Sequence, residues 1–343
     1  MSPIRISVEG LERIFGGLKD HRVLLPSGSG KKGEYIELTV AGRLPRECGD
    51  HTKPSAPPKN IIFPANETLL SYKLNIDGSI EVAQPEIGIT KTILFGTPPC
   101  DSASFRVLDA ALTKDIPEPF YTKRRENFGV IGMACSRAGK SCFCRSVGLS
   151  PVSEAGADLM AYPDGDDFII KNVSGRLDML WTLIEKSGEM VSEEAFEPVR
   201  ARFDIPVENY KFSAERLVDA IEKRFTDPYW TEFSSRCVSC GICTYLCPTC
   251  HCFDILDVET DERSGTRVRT QDTCQFPEFT GETSAHNPRK ERYTRQRQRV
   301  LHKFLYFFRN HGMMMCTGCG RCIRYCPVDI NIAEGVMKLG GTQ

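Results

Sequence analysis

The sequence lacks the features that mark nucleic-acid-binding, exported and membrane-spanning proteins. Its 343 residues include 44 Lys and Arg against 45 Asp and Glu, so no strong net charge favours nucleic acid or an anionic membrane. The N-terminal residues MSPIRISVEGLERIF contain no basic segment followed by an apolar one, and we expect no signal peptide. No apolar run approaches the roughly 18 residues of a membrane-spanning helix. We therefore predict a soluble, cytoplasmic protein that binds no nucleic acid.

The sequence also lacks a complete nucleotide-binding P-loop. Residues 130–144, VIGMACSRAGKSCFC, place Gly139-Lys140-Ser141 after a short apolar run, as a P-loop would. That motif needs another glycine five positions before Gly139, and Ala134 occupies this position. Without the glycine, the backbone amides would form a poor phosphate cradle. We also recognise no paired nucleophile and general base, so we assign no catalytic residue.

Cysteine is frequent, but it is too dilute for a disulfide scaffold. Sixteen cysteines in 343 residues lie well below the roughly 8–10% of small disulfide-rich proteins. In a reducing compartment, cysteines grouped at short spacings favour metal or redox chemistry. Twelve of the sixteen fall into three such groups.

Two of these groups share the spacing C-x₂-C-x₂-C-x₃-C-P, which is typical of two-cluster ferredoxins. They are CVSCGICTYLCP at 237–248 and CTGCGRCIRYCP at 316–327. Three thiolates on a tight loop bind three irons of a [4Fe–4S] cubane, while the fourth cysteine lies one helical turn later and points at the other cluster. The predicted ligand sets are Cys237, Cys240, Cys243 and Cys326, called site 2, and Cys316, Cys319, Cys322 and Cys247, called site 3.

A structural zinc site is the main alternative for these two runs. Zinc sites usually join two C-x₂-C pairs and have no use for a third and a fourth cysteine at this spacing. The same fingerprint occurs twice, and this repetition favours iron–sulfur clusters.

A third group of cysteines surrounds the incomplete P-loop. Cys135, Cys142 and Cys144 lie within ten residues, and Cys100 follows the preceding strand-like run in TPPCDS. Four cysteines from two loops at strand ends could complete a third cluster, although scattered cysteines are often inert core residues. The residues alone leave both interpretations open.

Several motifs together resemble one family of iron–sulfur subunits. These motifs are Cys100-Asp101, RRENFGVIG at 124–132, CPTCHCFD at 247–254, DTCQFPEF at 272–279, HNPR at 286–289 and CTGCGRCIRYCP at 316–327. The family comprises the iron–sulfur β subunit of cytoplasmic NiFe sulfhydrogenases and the A subunit of anaerobic sulfite reductase. The resemblance implies three [4Fe–4S] clusters, one in an α/β domain and two in an α-helical ferredoxin domain. It implies that the third cluster is ligated by Cys100, Cys135, Cys142 and Cys144, called site 1.

Four cysteines lie outside these sites. Cys48 stands alone in a polar stretch and has no evident role. Cys250, Cys252 and Cys274 lie between the ferredoxin-type runs, where they would form a further site, act as a redox-active thiol pair, or pack beside the clusters as small apolar groups. We favour packing.

Residues 289–309 form a basic, aromatic stretch that is predicted to be helical. It carries eight Lys or Arg against the single acid Glu291. Such a helix could bind RNA, but cations beside an anionic cluster also lower the cost of burying it. Because the chain has almost no net charge, we favour cluster support or docking to a partner subunit.

The pattern along the chain predicts an α+β fold in two parts. Residues 1–205 show a helix that carries Leu11 and Phe15, and then a predicted strand at 35–40, where Ile36, Leu38 and Val40 alternate with Tyr35, Glu37 and Thr39. Strand-like runs such as 61–63 (IIF), 71–76 and 91–96 follow, so we predict a mixed α/β domain with site 1. Residues 206–343 read mainly as helices, including 213–225 with Ser213 as N-cap, and form the predicted α-helical ferredoxin domain with sites 2 and 3.

These observations predict an electron-transfer subunit without catalytic chemistry of its own. The resemblance implies partners on both sides, one a flavoprotein that binds FAD and NAD(P)H, and the other a hydrogenase, a sulfite reductase or a heterodisulfide-reductase-like subunit. The alternative function is a thiol or disulfide reductase subunit that uses Cys250, Cys252 or Cys274.

Overall fold

The computed structural model describes residues 2–28, 33–208, 210 and 214–340, and it has an α+β architecture, as predicted. The strands are β1 (Ile4–Ser7), β2 (His21–Pro26), β3 (Tyr35–Glu37), β4 (Asn66–Leu74), β5 (Ile80–Ala83), β6 (Lys91–Thr97), β7 (Phe128–Met133), β8 (Leu159–Asp164), β9 (Asp167–Asn172), β10 (Glu189–Met190), β11 (Phe253–Asp261) and β12 (Ser264–Gln271).

Helices flank the larger sheet and outnumber the strands of the C-terminal part. They are α1 (Val8–Gly17), α2 (Leu38–Ala41), α3 (Pro99–Leu112), α4 (Pro119–Glu126), α5 (Asp178–Ser187), α6 (Glu193–Ala201), α7 (Ala214–Lys223), α8 (Tyr229–Ser234), α9 (Ile242–Tyr245), α10 (Arg292–Leu301), α11 (Phe307–His311), α12 (Arg321–Arg324) and α13 (Ile332–Gly340). Among the described residues, no helix is both long enough and apolar enough to span a membrane.

The larger sheet has eight strands within the described residues, in the order β10-β1-β9-β8-β7-β6-β2-β3. Its centre is parallel, since β2, β6, β7 and β8 pair in parallel in that order. Almost every residue of β6 and all of β7 are buried, which explains why both strands read as nearly continuous apolar runs. Parallel strands put their carboxyl ends at one edge, and this arrangement positions site 1.

Helices cover both faces of this sheet. On one face, Leu11 and Phe15 of α1 and Trp181 of α5 pack against apolar side chains of the strands. On the other face, Phe105 and Leu108 of α3 join the buried Val130 of β7. The helix predicted at Leu11 and Phe15 is present, and Ser7 caps it by accepting a hydrogen bond from the amide of Gly10.

The smaller sheet joins the two parts of the chain. It has the antiparallel order β11-β12-β4-β5, so a hairpin from residues 253–271 pairs with a hairpin from residues 66–83. We predicted the strand at 71–76, but not the hairpin after residue 250, where we expected mainly helices. Most side chains of β11 and β5 are exposed, so these strands lack the clear alternation of buried and polar residues that reveals a strand in sequence.

The C-terminal helices pack around one apolar core that includes Leu217 of α7, Trp230 of α8, Phe304 and Val336 of α13. α10 and α11 are joined by a π-helical turn at His302–Tyr306, so the predicted long basic helix is continuous from Arg292 to His311. Two predictions were wrong. Ile61 ends a 3₁₀ turn, and residues 62–63 lie in a turn and a bend rather than in a strand. The strand predicted to reach Val40 ends at Glu37. The predicted N-cap Ser213 lies outside the described residues.

Candidate metal centre

Site 1 lies at the carboxyl ends of two neighbouring parallel strands. β6 and β7 pair in parallel, so the loops that follow them emerge at the same edge of the sheet. The first loop leads through two prolines into α3, whose first turn carries Cys100. The second loop carries Cys135, and both side chains line one cavity together with Cys142 and Cys144. The structure therefore brings together all four cysteines that the resemblance assigned to site 1.

The buried Lys53 faces this cavity. Its Nζ lies 3.1 Å from Asp50 Oδ1 and 3.9 Å from Cys142 Sγ, and it donates a hydrogen bond to the backbone carbonyl of Cys319 in site 3. Burial by itself lowers the pKa of a lysine, but negative charge at Cys100 and Cys142 outweighs burial and raises the pKa of Lys53. The ammonium therefore stays charged between sites 1 and 3.

Site 2 collects thiols from both ferredoxin-type runs. Cys237, Cys240 and Cys243 of the first run line one cavity together with Cys326 of the second run. Cys326 of the second run therefore lies with the first three cysteines of the first run. Cys322 of site 3 lines the same cavity, so sites 2 and 3 adjoin.

Site 3 is built around the second run. Cys316 and Cys322 are close enough to Cys247 for their charges to interact, and Cys322 interacts in the same way with Cys319. Cys247 also lies close to a cation, since the Nζ of Lys303 is 3.2 Å from its Sγ. The fourth cysteine of the first run thus lies beside the first and third cysteines of the second run.

One face of α10 and the turn after it contacts the thiols of sites 2 and 3. Gln296 Nε2 donates a hydrogen bond to Cys237 Sγ at 3.0 Å, and Lys303 reaches Cys247. Between them lies Arg299, which is buried and interacts electrostatically with Cys243 of site 2 and with Cys322 of site 3. The spacing 296, 299, 303 places these three side chains on one face of a helix.

The unmet donors of Arg299 indicate whether an anionic cofactor fits between sites 2 and 3. Its Nε and Nη2 have no hydrogen-bond acceptor among the described residues. Burying guanidinium donors without acceptors is costly, so this position suits an anion between sites 2 and 3. A [4Fe–4S] cluster held by four thiolates is such an anion, and the donor set of cysteine sulfurs is the one that iron–sulfur clusters use. The residues present therefore fit this cofactor.

Glycines let the loops of sites 1 and 3 touch through their backbones. Gly318 has φ 65°, and a Cβ there would lie 2.5 Å from the backbone of Cys144. Gly320 has φ 77°, and a Cβ there would lie 2.4 Å from the carbonyl oxygen of Ser141. In addition, the amide of Phe143 donates to the carbonyl of Gly318 at 2.9 Å. The loop of site 1 and the second ferredoxin-type run therefore share one wall.

A buried ion pair joins the same two loops. The guanidinium of Arg321 binds both carboxylate oxygens of Asp101, and both side chains are almost fully buried. Arg321 also donates twice to the carbonyl of Pro54, at 2.8 and 3.0 Å, and Tyr35 donates from its hydroxyl to Asp101 at 3.1 Å. Because Asp101 follows Cys100 and Arg321 precedes Cys322, the pair fixes site 1 against site 3.

Burial changes the acid–base chemistry of the thiols. It raises the pKa values of Cys144, Cys243 and Cys316 to about 12. Iron binds the thiolate form, so cluster binding at these positions releases protons and is favoured by higher pH. No group of three His, Cys, Asp or Glu side chains in the part of the chain that the structure describes is placed to hold a single metal ion.

Residues 236–330 match the family model of the 4Fe–4S dicluster domain. They contain both ferredoxin-type runs and hence all eight cysteines of sites 2 and 3. We call residues 236–330 the dicluster domain after this match. Upstream of the dicluster domain, the chain supplies the four cysteines of site 1, which pack against its second run.

The chain as a whole resembles a known subunit. It is 29% identical over 338 residues to the sulfhydrogenase 2 subunit beta of Pyrococcus furiosus, with 96% of each chain covered. The resemblance to sulfhydrogenase β subunits, inferred from the motifs around the dicluster domain, is confirmed. No solved structure matches the chain.

The polar residues around the sites leave weaker signals in the sequence than the cysteines do. Arg299 and Lys303 carry a signal, since they recur at helical spacing within the basic stretch 289–309. Lys53 carries none, because it is an isolated lysine in a proline-rich loop. The pairing of Asp101 with Arg321 spans 220 residues, and no local pattern reveals such a contact.

Proposed function

We propose that this chain is the electron-transfer subunit of a multisubunit oxidoreductase and that it carries three [4Fe–4S] clusters. Two are the clusters of the dicluster domain, and the third is held at site 1. The single observation that carries the proposal is the wall shared by site 1 and the second ferredoxin-type run, where Gly318 contacts Cys144. A cluster at site 1 would otherwise be isolated from the dicluster domain.

The proposed ligands follow the cysteine groups. Site 1 would use Cys100, Cys135, Cys142 and Cys144, site 2 Cys237, Cys240, Cys243 and Cys326, and site 3 Cys316, Cys319, Cys322 and Cys247. When bound, each cluster accepts and releases one electron at a time. The protein supplies thiolates, positive charge and exclusion of water.

The polypeptide connects the sites in the order 1, 3, 2. Site 1 touches site 3 through the loop backbones and through Lys53, whose ammonium lies beside Cys142 and the carbonyl of Cys319. Site 3 adjoins site 2 at Cys322, with Arg299 between them. Buried cations at both junctions favour the extra negative charge that a transferred electron brings.

The partners are part of the proposal. The resemblance to a subunit of a sulfhydrogenase supports a complex with a catalytic subunit, which we propose is a hydrogenase, a sulfite reductase or a heterodisulfide-reductase-like protein. A flavoprotein that binds FAD and NAD(P)H would exchange electrons at the other end. We place the complex in the cytoplasm.

Iron analysis of cysteine variants tests the cluster sites. The full chain is purified and reconstituted without oxygen, and Cys142→Ser, Cys240→Ser and Cys316→Ser are compared with Cys48→Ser as a matched control. Each site variant should lose up to about four irons per chain, the content of one cubane, and the control none. If Cys142→Ser keeps its full iron content and its reduced-state electron paramagnetic resonance (EPR) spectrum, site 1 holds no cluster.

Isolation of the native complex tests the relay. The proteins that co-purify under anaerobic conditions should include a flavoprotein and a redox enzyme. Adding NAD(P)H to the complex should bleach the broad absorption near 400 nm (an approximate position for cubane charge transfer). A chain that co-purifies with no redox partner, or whose clusters no partner reduces, would refute the electron-transfer role.

A further inference from the structure

Three cysteines outside sites 1–3 are brought together by the hairpin that sequence reasoning missed. Cys252 immediately precedes β11, and Cys274 follows β12 by three residues. The strands pair Phe253 with Gln271, and the amide of Asp272 donates to the carbonyl of Cys252 at 3.1 Å. The base of the hairpin therefore places Cys252 beside Cys274, and the buried Cys250 lies two residues before Cys252.

The three thiols lie next to sites 2 and 3. The side chains of Cys252 and Cys274 lie close enough to interact, as do the side chains of Cys250 and of Cys247 in site 3. Cys274 is also close enough to Cys243 of site 2 for their charges to interact. A redox centre at these thiols would therefore adjoin the dicluster sites.

Two buried lysines, Lys59 and Lys303, lie close to Cys250 and Cys247. Lys59 is only 1% exposed, and its Nζ donates to the carbonyl of Cys250 at 2.6 Å. Lys303 is 2% exposed and lies at Cys247 and Thr249. The two ammonium groups repel each other, and within the described residues neither has a carboxylate partner. The acidic groups that interact electrostatically with Lys59 and Lys303 are cysteines. Cys247 and Cys250 interact with both lysines.

This charge arrangement decides between the possible uses of the three thiols. A buried ammonium needs a nearby anion, because an unpaired charge in a low-dielectric interior is very costly. Lys303 contacts Cys247 of site 3, whereas Lys59 donates to the carbonyl of Cys250, and Cys247 lies close enough to both lysines for their charges to interact. With neutral packed thiols or a neutral disulfide, both lysines would share the negative charge of site 3, and burial lowers the pKa of Lys59. A thiolate-bound iron–sulfur cluster beside Cys250 would supply a second anion and favour the charged form of Lys59.

We propose that Cys250, Cys252 and Cys274 hold a fourth iron–sulfur cluster of the cubane class through three thiolates, with Lys59 as its buried counter-charge. One iron of this cluster would lack a ligand from the triad and would be open to another ligand. The proposal goes beyond the three clusters proposed above, and it holds whether or not those clusters relay electrons.

Iron and sulfide analysis of the full chain after anaerobic reconstitution tests the fourth site. The wild-type chain and the control Cys48→Ser should each hold about sixteen irons, four cubanes' worth. The triple variant Cys250→Ser, Cys252→Ser, Cys274→Ser should hold about twelve and should lack one component of the reduced EPR spectrum. The single variant Cys252→Ser, at the half-buried end of the triad, should show the same loss. It replaces the triple variant in the test if the triple variant does not fold.

Two results would overturn the proposal. One is equal iron content in the wild-type chain and in Cys252→Ser. The other is a disulfide between Cys252 and Cys274 in the anaerobically isolated chain, detected by alkylation and mass spectrometry. Failure of site 1 would be seen separately, because Cys142→Ser would then keep its iron while Cys252→Ser still lost its own.

Discussion

Single buried cations set the electrostatics around the cysteines. Arg299 lies between the thiols of sites 2 and 3 with two of its donors unpaired among the described residues, and Lys53 lies between sites 1 and 3. Each is a full charge in a region that excludes water, where charges interact more strongly than at the surface. These residues should therefore control how readily the neighbouring sites accept electrons.

Replacing Arg299 with Met should make the reduction potential of the adjacent clusters more negative. One charge about 5–8 Å away at an effective dielectric constant of about 20 contributes roughly 2–3 kcal/mol, or roughly 90–140 mV for a one-electron couple. An anaerobic redox titration followed by EPR measures the shift. Arg297→Met is the matched control, since Arg297 stacks on the ring of Phe225 with its guanidinium carbon 3.8 Å from the ring centre. Equal potentials in the two variants would contradict this role.

The ion pair between Asp101 and Arg321 should be needed for the stability of the protein. Asp101→Asn leaves a buried guanidinium without its partner charge, which costs about 3–5 kcal/mol. The melting temperature of the reconstituted protein should fall by several degrees. The control is Asp257→Asn, which breaks a pair with Arg267 in which both side chains are about half exposed, and it should cost at most about 1 kcal/mol. The same melting temperature in both variants would show that the buried pair is dispensable.

At the level of loops and strands, close backbone contacts hold site 1 against the dicluster domain. The site 1 loop at 141–144 and the loop at 318–320 approach so closely that a Cβ at Gly318 or at Gly320 would collide with the site 1 loop. Each of these two positions therefore needs a residue that adopts a positive φ and that also lacks a side chain. Glycine meets both conditions.

Gly318→Ala should separate the two loops, whereas Gly312→Ala should not. Both glycines have a positive φ, 65° and 68°, so alanine costs about 1–2 kcal/mol of backbone strain at either position. Only at Gly318 would the new Cβ collide with the backbone of Cys144, since Gly312 faces open space. We expect Gly318→Ala to lose iron from site 1, measured as in the cysteine variants. Iron retention equal to that of Gly312→Ala would mean that the contact is not required.

The sequence predicts the elements whose pattern is local, and it misses those that depend on distant partners. The ferredoxin-type spacing and the periodicity of α1 and of α10 are read from neighbouring residues, and the structure has both helices. The hairpin of β11 and β12 was missed because its outer strand is exposed along its whole length. Lys59 was missed because its role depends on Cys250, 191 residues away.

At the scale of the whole molecule, the apolar core of the eight-stranded sheet is separate from the core that surrounds the dicluster sites. The first core is formed by residues such as Phe95 and Ile131, packed under α1 and α5. The second contains Leu217, Trp230 and Phe304, and residues packed against it include Cys316 and Cys322. Iron binding therefore supports the second core directly and the first only through contacts between loops.

Removing iron should loosen the C-terminal part of the chain first. Chelation takes away the groups that fix the cysteine loops, so amide hydrogen exchange should rise in α9, α12 and α13 before it rises in β6 and β7. Mass spectrometry of exchange before and after anaerobic chelation measures the order. Simultaneous loss of protection in both regions would show that the chain unfolds as one unit.

The smaller sheet has a consequence for biosynthesis. Thr270 of β12 hydrogen-bonds to Asn66 of β4 across a separation of 204 residues. At roughly 5–20 residues per second, the ribosome needs about 10–40 s to make the intervening chain. Until then, the hairpin of β4 and β5 has an open edge, and site 1 lacks the wall that Gly318 provides until residue 318 has also been made. Insertion of iron into the first site should therefore wait for synthesis of the second ferredoxin-type run.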